Sequence, residues 1–180
     1  VPKEAIDEVV KTLKTRWIGQ GKKVDEFEKE LGFLGKYVLT VNSGTSAIEL
    51  AYDLLNLKAG DEVITSVFTF PGAALPLIRR GVKVIFADVE NNLLMDWGDV
   101  KKKITPKTKA IVNPHLFGMY NKAPKLSVPV IGDACQYLDK TENERFTVYS
   151  FQATKILTTV DGGALVCQRK KDYKLAKLLR

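Results

Sequence analysis

The sequence predicts an α/β fold in which helices cover a mostly parallel sheet. Short apolar segments typical of strands alternate with amphipathic segments typical of helices along most of the chain. The predicted strands are apolar on both faces, as strands are when helices pack on both sides of a sheet. A length of 180 residues with 45% hydrophobic residues favours one globular domain that needs neither disulfides nor a structural metal.

The first predicted elements are two helices, a strand and a third helix. Apolar residues recur at helical spacing over residues 5–13 and 24–34, and two glycines, Gly19 and Gly21, separate these helices. Residues 37–41 form a predicted strand. The sequence Asn42-Ser43-Gly44-Thr45 follows at once and begins a helix over residues 47–55. Strand, tight turn and helix therefore succeed one another directly.

The rest of the chain repeats this alternation. We predict strands at residues 62–65, 83–87, 110–113, 130–133, 145–151 and 164–168, and helices at 72–79, 97–104 and 170–180. Ligands of such sheets bind beyond the carboxyl ends of the strands. We therefore expect the functional residues in segments 43–46, 68–70, 133–136 and 150–155, and at position 115.

Charge and cysteine content restrict the class of function. A net charge of +7 suits an anionic partner, but the lysines are spread along the chain and no arginine-aromatic run predicts a nucleic-acid platform. Cys135 and Cys167 lie far apart, and His115 is the only histidine, so we predict no metal site. No apolar run is long enough to cross a bilayer, and residues 1–13 predict an amphipathic helix rather than a signal peptide. We expect a cytoplasmic protein without membrane or nucleic-acid partners.

Three features at the predicted ligand edge each have a chemical and a structural interpretation. The turn Ser43-Gly44-Thr45-Ser46 offers N–H groups and hydroxyls to a phosphate, or it is an ordinary helix cap. Asp133 follows a very apolar strand and needs either a backbone cap or a cationic ligand group such as a protonated pyridine. Lys155 is either a solvated loop lysine or an amine nucleophile.

Aromatic residues and the histidine add two further alternatives. His115 is either a general base or a hydrogen-bonded residue with a structural or substrate-positioning role. Phe68 and Phe70 fill the core, or they stack on a planar ring. Considered together, a phosphate cup, an aromatic ring, a buried aspartate and a lysine, in this order, are the groups that pyridoxal 5′-phosphate requires.

The chain resembles the DegT/StrS-type sugar aminotransferases, which are pyridoxal-phosphate enzymes with the aspartate aminotransferase fold. The matching segments extend over nearly the whole chain in the right order. They are Trp17-Ile18-Gly19-Gln20-Gly21, Asn42-Ser43-Gly44-Thr45-Ser46-Ala47, Gly60-Asp61-Glu62-Val63-Ile64, Phe68-Thr69-Phe70, His115-Leu116-Phe117-Gly118, Asp133-Ala134-Cys135-Gln136 and Ser150-Phe151 with Thr154-Lys155. The resemblance implies a three-layer α/β/α fold with a mostly parallel mixed sheet, in which residues 1–180 form a single large domain that binds pyridoxal phosphate.

The resemblance also implies a role for each matching residue. Lys155 corresponds to the lysine that forms a Schiff base with the cofactor and moves the proton during transfer. Asp133 corresponds to the partner of the pyridinium nitrogen, and Gln136 lies near the phenolic oxygen of the ring. Phe70 corresponds to the stacking aromatic, and Ala134 packs under the ring. The implied phosphate ligands are Gly44, Thr45 and Ser150.

The activity implied by the resemblance is transfer of an amino group, from glutamate, to a keto-sugar nucleotide in amino-sugar or polysaccharide biosynthesis. The implied assembly is a homodimer. Family members are longer and place part of the substrate site in a C-terminal small domain. The alternative is therefore a truncated domain that binds the cofactor or a partner chain with weak turnover or none. Family dehydratases carry histidine in place of the lysine, so Lys155 argues against that activity.

Two local features depart from the family pattern. Residues 117–128 form a short segment containing Pro124, where relatives carry a crossover helix. Ile156 stands where an asparagine usually follows the lysine, which alters a contact to the cofactor or to the partner subunit.

Overall fold

The computed structural model describes all 180 residues, which form six α-helices and seven β-strands. The helices are α1 (Lys3–Lys14), α2 (Lys22–Glu30), α3 (Gly44–Leu54), α4 (Leu75–Arg79), α5 (Trp97–Lys103) and α6 (Lys170–Leu179). The strands are β1 (Tyr37–Val41), β2 (Glu62–Ser66), β3 (Lys83–Ala87), β4 (Thr108–Pro114), β5 (Val130–Asp133), β6 (Phe146–Ser150) and β7 (Gly163–Cys167).

All seven strands belong to one sheet, in the order β1-β7-β6-β5-β4-β2-β3. The pairs β2–β3, β2–β4, β4–β5 and β5–β6 are parallel, whereas β7 is antiparallel to both of its neighbours, β1 and β6. The predicted mostly parallel mixed sheet is therefore confirmed. The carboxyl ends of β2, β4, β5 and β6 meet at one edge, where a ligand site is expected.

Helices cover both faces of the sheet, so the predicted three-layer arrangement is also confirmed. On one face, α3, α4 and α6 bury the main core, which includes Tyr52, Leu77 and Phe146. On the other face, two smaller clusters pack separately. One lies beneath the end of α2 and includes Tyr149, and the other lies beneath α5 and includes Val100.

Two predicted helices are shorter in the structure. The helix predicted at residues 72–79 is a 3-10 turn over Pro71–Ala73 followed by α4. Pro76 lacks an N–H group and its ring excludes a preceding helical turn, so a regular α-helix begins only next to it. The helix predicted to reach residue 34 ends at Glu30 and continues as a 3-10 turn over Leu31–Phe33. The other predicted elements are present with ends displaced by a few residues.

The connection from β4 to β5 contains no helix, and asparagine side chains hold it in place. The Asn121 side chain donates a hydrogen bond to the Met95 carbonyl (3.0 Å) and accepts one from Trp97 Nε1 (2.9 Å). Asn143 Nδ2 donates to the carbonyl of Ala123 (2.7 Å). Such bonds satisfy polar backbone groups that a helix would otherwise pair internally. The two strands remain paired along the whole of β5, so the sheet is complete beside the site.

The N-terminal helix α1 presents an apolar stripe that nothing in this chain buries. Ile6, Val9, Val10 and Leu13 share that stripe, and each is exposed over 42–59% of its surface. No residue of the helix is buried. None of the helices is both long and apolar enough to span a lipid bilayer.

Candidate active site

One cavity of about 470 Å³ opens at the carboxyl ends of the strands. It is enclosed by the start of α3, the segment after β2, and the ends of β4, β5 and β6. All seven residues proposed from the sequence as site residues line it. They are Gly44, Thr45, Phe70, Asp133, Gln136, Ser150 and Lys155. The fold therefore brings these seven residues together from four separate segments of the chain.

The beginning of α3 forms the end of the cavity suited to an anion. Ser43 caps the helix, because its Oγ accepts a hydrogen bond from the Ser46 N–H (3.0 Å). The N–H groups of Gly44 and Thr45 have no intrahelical partner and remain for a ligand. A Cβ atom at Gly44 would lie 2.8 Å from Cys135 Sγ and would displace it. The turn can therefore cap the helix and bind an anion at the same time, because the Ser43 hydroxyl forms the cap and the N–H groups of Gly44 and Thr45 remain for the anion.

Asp133 ends β5 on the face covered by α3. Its Oδ1 accepts a hydrogen bond from the Cys135 N–H (3.2 Å), so one lone pair caps the following turn and the others remain for a ligand. Burial, and secondly the Asp133 carboxylate, raises the pKa of the Cys135 thiol well above its usual value. The same two causes, in the same order, raise the pKa of Tyr52. Cys135 and Tyr52 are therefore neutral near pH 7.

Gln136 is held by a strained turn that follows β4. Phe117 has a positive φ of 56°, which costs a non-glycine residue on the order of 1–2 kcal/mol. Its N–H donates to Gln136 Oε1 (3.2 Å), and the Gly118 N–H donates to the Gln136 carbonyl (2.9 Å). The amide NH₂ of Gln136 is left to donate to a ligand oxygen. Strain of this kind persists where the surrounding structure determines the conformation, as it does at binding sites.

Lys155 ends a short turn after β6. Gln152 organises this turn, because its Oε1 accepts hydrogen bonds from the Thr154 N–H (2.9 Å) and hydroxyl (2.6 Å), and its carbonyl accepts the Lys155 N–H (2.9 Å). Lys155 is half-buried and forms no salt bridge, so its amine is free for a ligand. Asp161 adds a second carboxylate to the cavity lining, which the sequence analysis did not single out.

Of the two phenylalanines after β2, Phe70 lines the cavity and Phe68 does not. Phe68 is 44% and Phe70 69% exposed, so the interpretation that they fill the core is wrong. The Phe68 ring contacts that of Phe117 at a centroid distance of 6.2 Å. Thr69, between them, lines the cavity with a buried hydroxyl that has no hydrogen-bond partner. This unsatisfied donor, which sequence reasoning missed, is available to a ligand oxygen.

His115 is fully buried and lines the inner wall of the cavity. Nδ1 accepts a hydrogen bond from the Asn121 N–H (3.2 Å), and Nε2 lies 3.0 Å from Glu144 Oε1 without the alignment of a hydrogen bond. The structure favours the hydrogen-bonded alternative over the general base, because Nδ1 is occupied and Nε2 faces a carboxylate of the protein. Glu144 lies 29 positions later in the chain, and no local sequence motif indicates that it lies next to His115.

Comparison with known proteins assigns the family. Residues 1–180 match the DegT/DnrJ/EryC1/StrS aminotransferase family over their whole length. The chain belongs to this family. It is 37% identical to the spore coat polysaccharide biosynthesis protein SpsC of Bacillus subtilis (strain 168), covering 100% of this chain and 50% of SpsC. It is 32% identical to the UDP-4-amino-4,6-dideoxy-N-acetyl-beta-L-altrosamine transaminase of Campylobacter jejuni (strain 81-176), covering 97% of this chain and 51% of that protein.

The fold of the family is equally evident among solved structures. NtdA from Bacillus subtilis, crystallised with bound cofactor PMP, superposes with a TM-score of 0.89 at 26% identity, covering 98% of this chain and 45% of NtdA. The predicted family resemblance and fold class are therefore confirmed. The chain spans about half the length of the curated relatives it matches.

Proposed function

We propose that this chain is the cofactor-binding large domain of a pyridoxal-phosphate-dependent sugar aminotransferase. The observation that carries the proposal is that all seven residues corresponding to the family's cofactor ligands surround one cavity. The name of the Campylobacter jejuni relative, a transaminase of a UDP-linked amino sugar, and the PMP bound to NtdA support the same activity. The unsatisfied Thr69 hydroxyl and the uncapped N–H groups of Gly44 and Thr45 suit the oxygens of a phosphorylated cofactor.

The two ends of the cavity have complementary chemistry for such a cofactor. The N-terminus of α3, with Ser150 beside Gly44, binds the phosphate through N–H groups, a hydroxyl and the positive end of the helix dipole. Asp133 would pair with the pyridine nitrogen and favour its protonated form, because an adjacent carboxylate stabilises a cation. The Gln136 amide donates to the phenolic oxygen. When bound, the cofactor supplies an electron sink for the bond broken at the substrate carbon.

Lys155 contributes the amine of the proposed reaction. Its amine would hold the cofactor in the cavity, and the same amine would carry the proton at the substrate Cα during transfer. The proposed donor is glutamate, and the proposed acceptor is a keto-sugar nucleotide whose diphosphate suits a chain of charge +7. The proposed location is the cytoplasm, where the two free thiols, Cys135 and Cys167, remain reduced.

Half-transamination in a single turnover tests this function. We expect the chain loaded with pyridoxal phosphate to convert glutamate to 2-oxoglutarate, with one pyridoxamine phosphate formed per site. When a nucleotide keto-sugar is then added, we expect these 180 residues to regenerate pyridoxal phosphate slowly or not at all, because they span about half the length of their relatives and leave substrate orientation incomplete. Chromatography of the released cofactor and keto acid measures both steps. Cofactor bound at Lys155 without conversion by any amino acid would favour the alternative of a binding domain without turnover.

We further propose that the protein is a homodimer. The exposed apolar stripe of α1, with Ile6, Val9, Val10 and Leu13, is a surface that a folded protein ordinarily covers. Phe68 and Phe117, whose rings contact each other, are a second pair of exposed apolar side chains. We expect sedimentation equilibrium at micromolar concentration to show a dimer, and Val9→Glu with Leu13→Glu to shift it toward monomer. A monomer that binds pyridoxal phosphate tightly contradicts this proposal.

A further inference from the structure

A fully buried polar network lies beneath the site, on the face of the sheet opposite Asp133. Glu144 is its centre and lies in the segment before β6. Its Oε1 accepts a hydrogen bond from Asn113 Nδ2 (3.0 Å) and lies 3.0 Å from His115 Nε2, and its Oε2 accepts one from the Thr147 hydroxyl (3.2 Å). The side chains of Glu144 and His115 have no solvent exposure. None of these contacts belongs to the proposed cofactor chemistry.

The Glu144 carboxylate occupies space left open by a glycine on the neighbouring strand. A Cβ atom at Gly132 of β5 would overlap the carboxylate, with Oε1 2.8 Å away and Oε2 closer still. A buried carboxylate is costly unless donors satisfy it. Here Asn113 Nδ2 and the Thr147 hydroxyl donate to it, and His115 Nε2 lies close by at 3.0 Å. The absence of a side chain at position 132 is therefore what admits the carboxylate to this place.

The hydrogen-bond pattern determines the state of His115. Because Nδ1 accepts the Asn121 N–H, the ring proton lies on Nε2, which faces Glu144. The ring packs against both Tyr120 and Tyr137, at centroid distances of 5.0 and 5.7 Å, and these two tyrosine rings stack on each other. The His115 N–H also donates to the Asp133 carbonyl (2.9 Å), so the residue joins the ends of β4 and β5 at the cavity.

We propose that Glu144 is a positioning residue that acts through His115 on the turn presenting Gln136. The path is continuous: Glu144 orients the ring, the ring accepts the Asn121 N–H, and residues 115–121 are thereby closed into a loop that contains the strained Phe117. Phe117 in turn holds Gln136 Oε1. Because the connection from β4 to β5 has no helix of its own, this side-chain network takes the place of helical hydrogen bonds in holding the turn.

Three variants test the proposal in the chain without cofactor. Glu144→Gln is isosteric but presents an amide NH₂ to groups that are donors. Gly132→Ala leaves every polar group present and expels the carboxylate. Glu144→Ala with Gly132→Asp returns a carboxylate to nearly the same space from the adjacent strand, because both aspartate oxygens lie within about 2.5 Å of their Cβ atom. Glu142→Gln is the matched control, since the exposed Glu142 side chain pairs only with Lys122, and the bonds of its backbone with the Tyr120 hydroxyl do not depend on that side chain.

The first measurement is amide hydrogen exchange of Asn121 and Phe117. We expect exchange at both amides to accelerate about tenfold or more in Glu144→Gln and in Gly132→Ala, and to return toward the original rate in Glu144→Ala with Gly132→Asp. When Glu144 is already alanine, adding Gly132→Ala is expected to change the exchange rates little further, because the carboxylate that the new methyl group would overlap is gone. Glu142→Gln leaves both rates unchanged. Unchanged rates in Glu144→Gln, or no recovery with the returned carboxylate, overturn the proposal.

The second measurement is affinity for pyridoxal phosphate, and this arm rests on the proposed function. We expect Glu144→Gln to weaken binding about tenfold, equivalent to about 1.4 kcal/mol. Val100→Ala, in the separate cluster beneath α5, is a control that lowers the melting temperature without this loss. Equal losses of affinity in both variants overturn the positioning role, because they indicate general destabilisation. A wild-type chain that does not bind the cofactor overturns the proposed function alone, and the exchange rates still decide the role of Glu144.

Discussion

Replacing Lys155 with alanine is expected to abolish covalent attachment of pyridoxal phosphate. The amine is half-buried at the cavity, free of salt bridges and placed by the Gln152 turn, so no other lysine can replace it at that point. After borohydride reduction, mass spectrometry of the wild-type chain is expected to show one phosphopyridoxyl group on the peptide containing Lys155. The alanine variant is expected to carry none. Turnover falls at least 10²–10⁴-fold, the usual contribution of a general acid–base group, and further because the covalent step is lost.

Two further variants distinguish the effect of the positive charge of Lys155 from the effect of its covalent bond to the cofactor. Lys155→Arg keeps a positive charge in the cavity but cannot form the bond, because guanidinium does not deprotonate in proteins. We expect it to bind the cofactor without forming a reducible adduct. Lys140→Ala removes an exposed lysine from a neighbouring segment and is expected to behave like the wild type. A reduced adduct mapped to a lysine other than Lys155 would show that the assignment is wrong.

The second large effect is expected at Asp133. Asp133→Asn keeps the size of the side chain and the hydrogen bond from the Cys135 N–H, but removes the charge that stabilises a protonated pyridine. A hydrogen bond to a charged group contributes about 1.5–3 kcal/mol, so we expect pyridoxal phosphate to bind about 10–150-fold more weakly. Transamination falls further, because the unprotonated ring is a poor electron sink. Isothermal titration and single-turnover conversion of glutamate measure the two effects.

A readout without cofactor accompanies this prediction. The Asp133 charge is the second cause, after burial, of the raised pKa of the Cys135 thiol. Removing the charge lowers that pKa, so the thiolate fraction at pH 8 rises and iodoacetamide labels Cys135 faster. Cys167, whose pKa is raised to about 12 by burial and then by Asp172, is the internal reference and is expected to stay unchanged. Asp139→Asn, at an exposed aspartate six residues away, is the control for both measurements. If Asp133→Asn binds pyridoxal phosphate with wild-type affinity, the assignment of Asp133 as a cofactor ligand is wrong.

Most of the elements could be predicted from local patterns, because burial of apolar residues has a helix or strand period that is visible in sequence. The alternation of apolar strands with amphipathic helices predicted the layered fold, and the position of Asp133 and Lys155 after apolar strands placed them at the ligand edge. The exceptions have local causes. Pro76 shortened a predicted helix, and the segment 115–129 kept its place through side-chain hydrogen bonds rather than helical ones.

What the sequence by itself determined is therefore the order of the elements, the family, and the set of residues at the strand ends. The tertiary structure decided which partners those residues have. It left Phe68 and Phe70 exposed instead of in the core, and it brought Glu144 next to His115 in space opened by Gly132. The physical reason is that periodicity reports how each segment meets the core, whereas a hydrogen bond between distant residues depends on strand order and register, which no local pattern encodes.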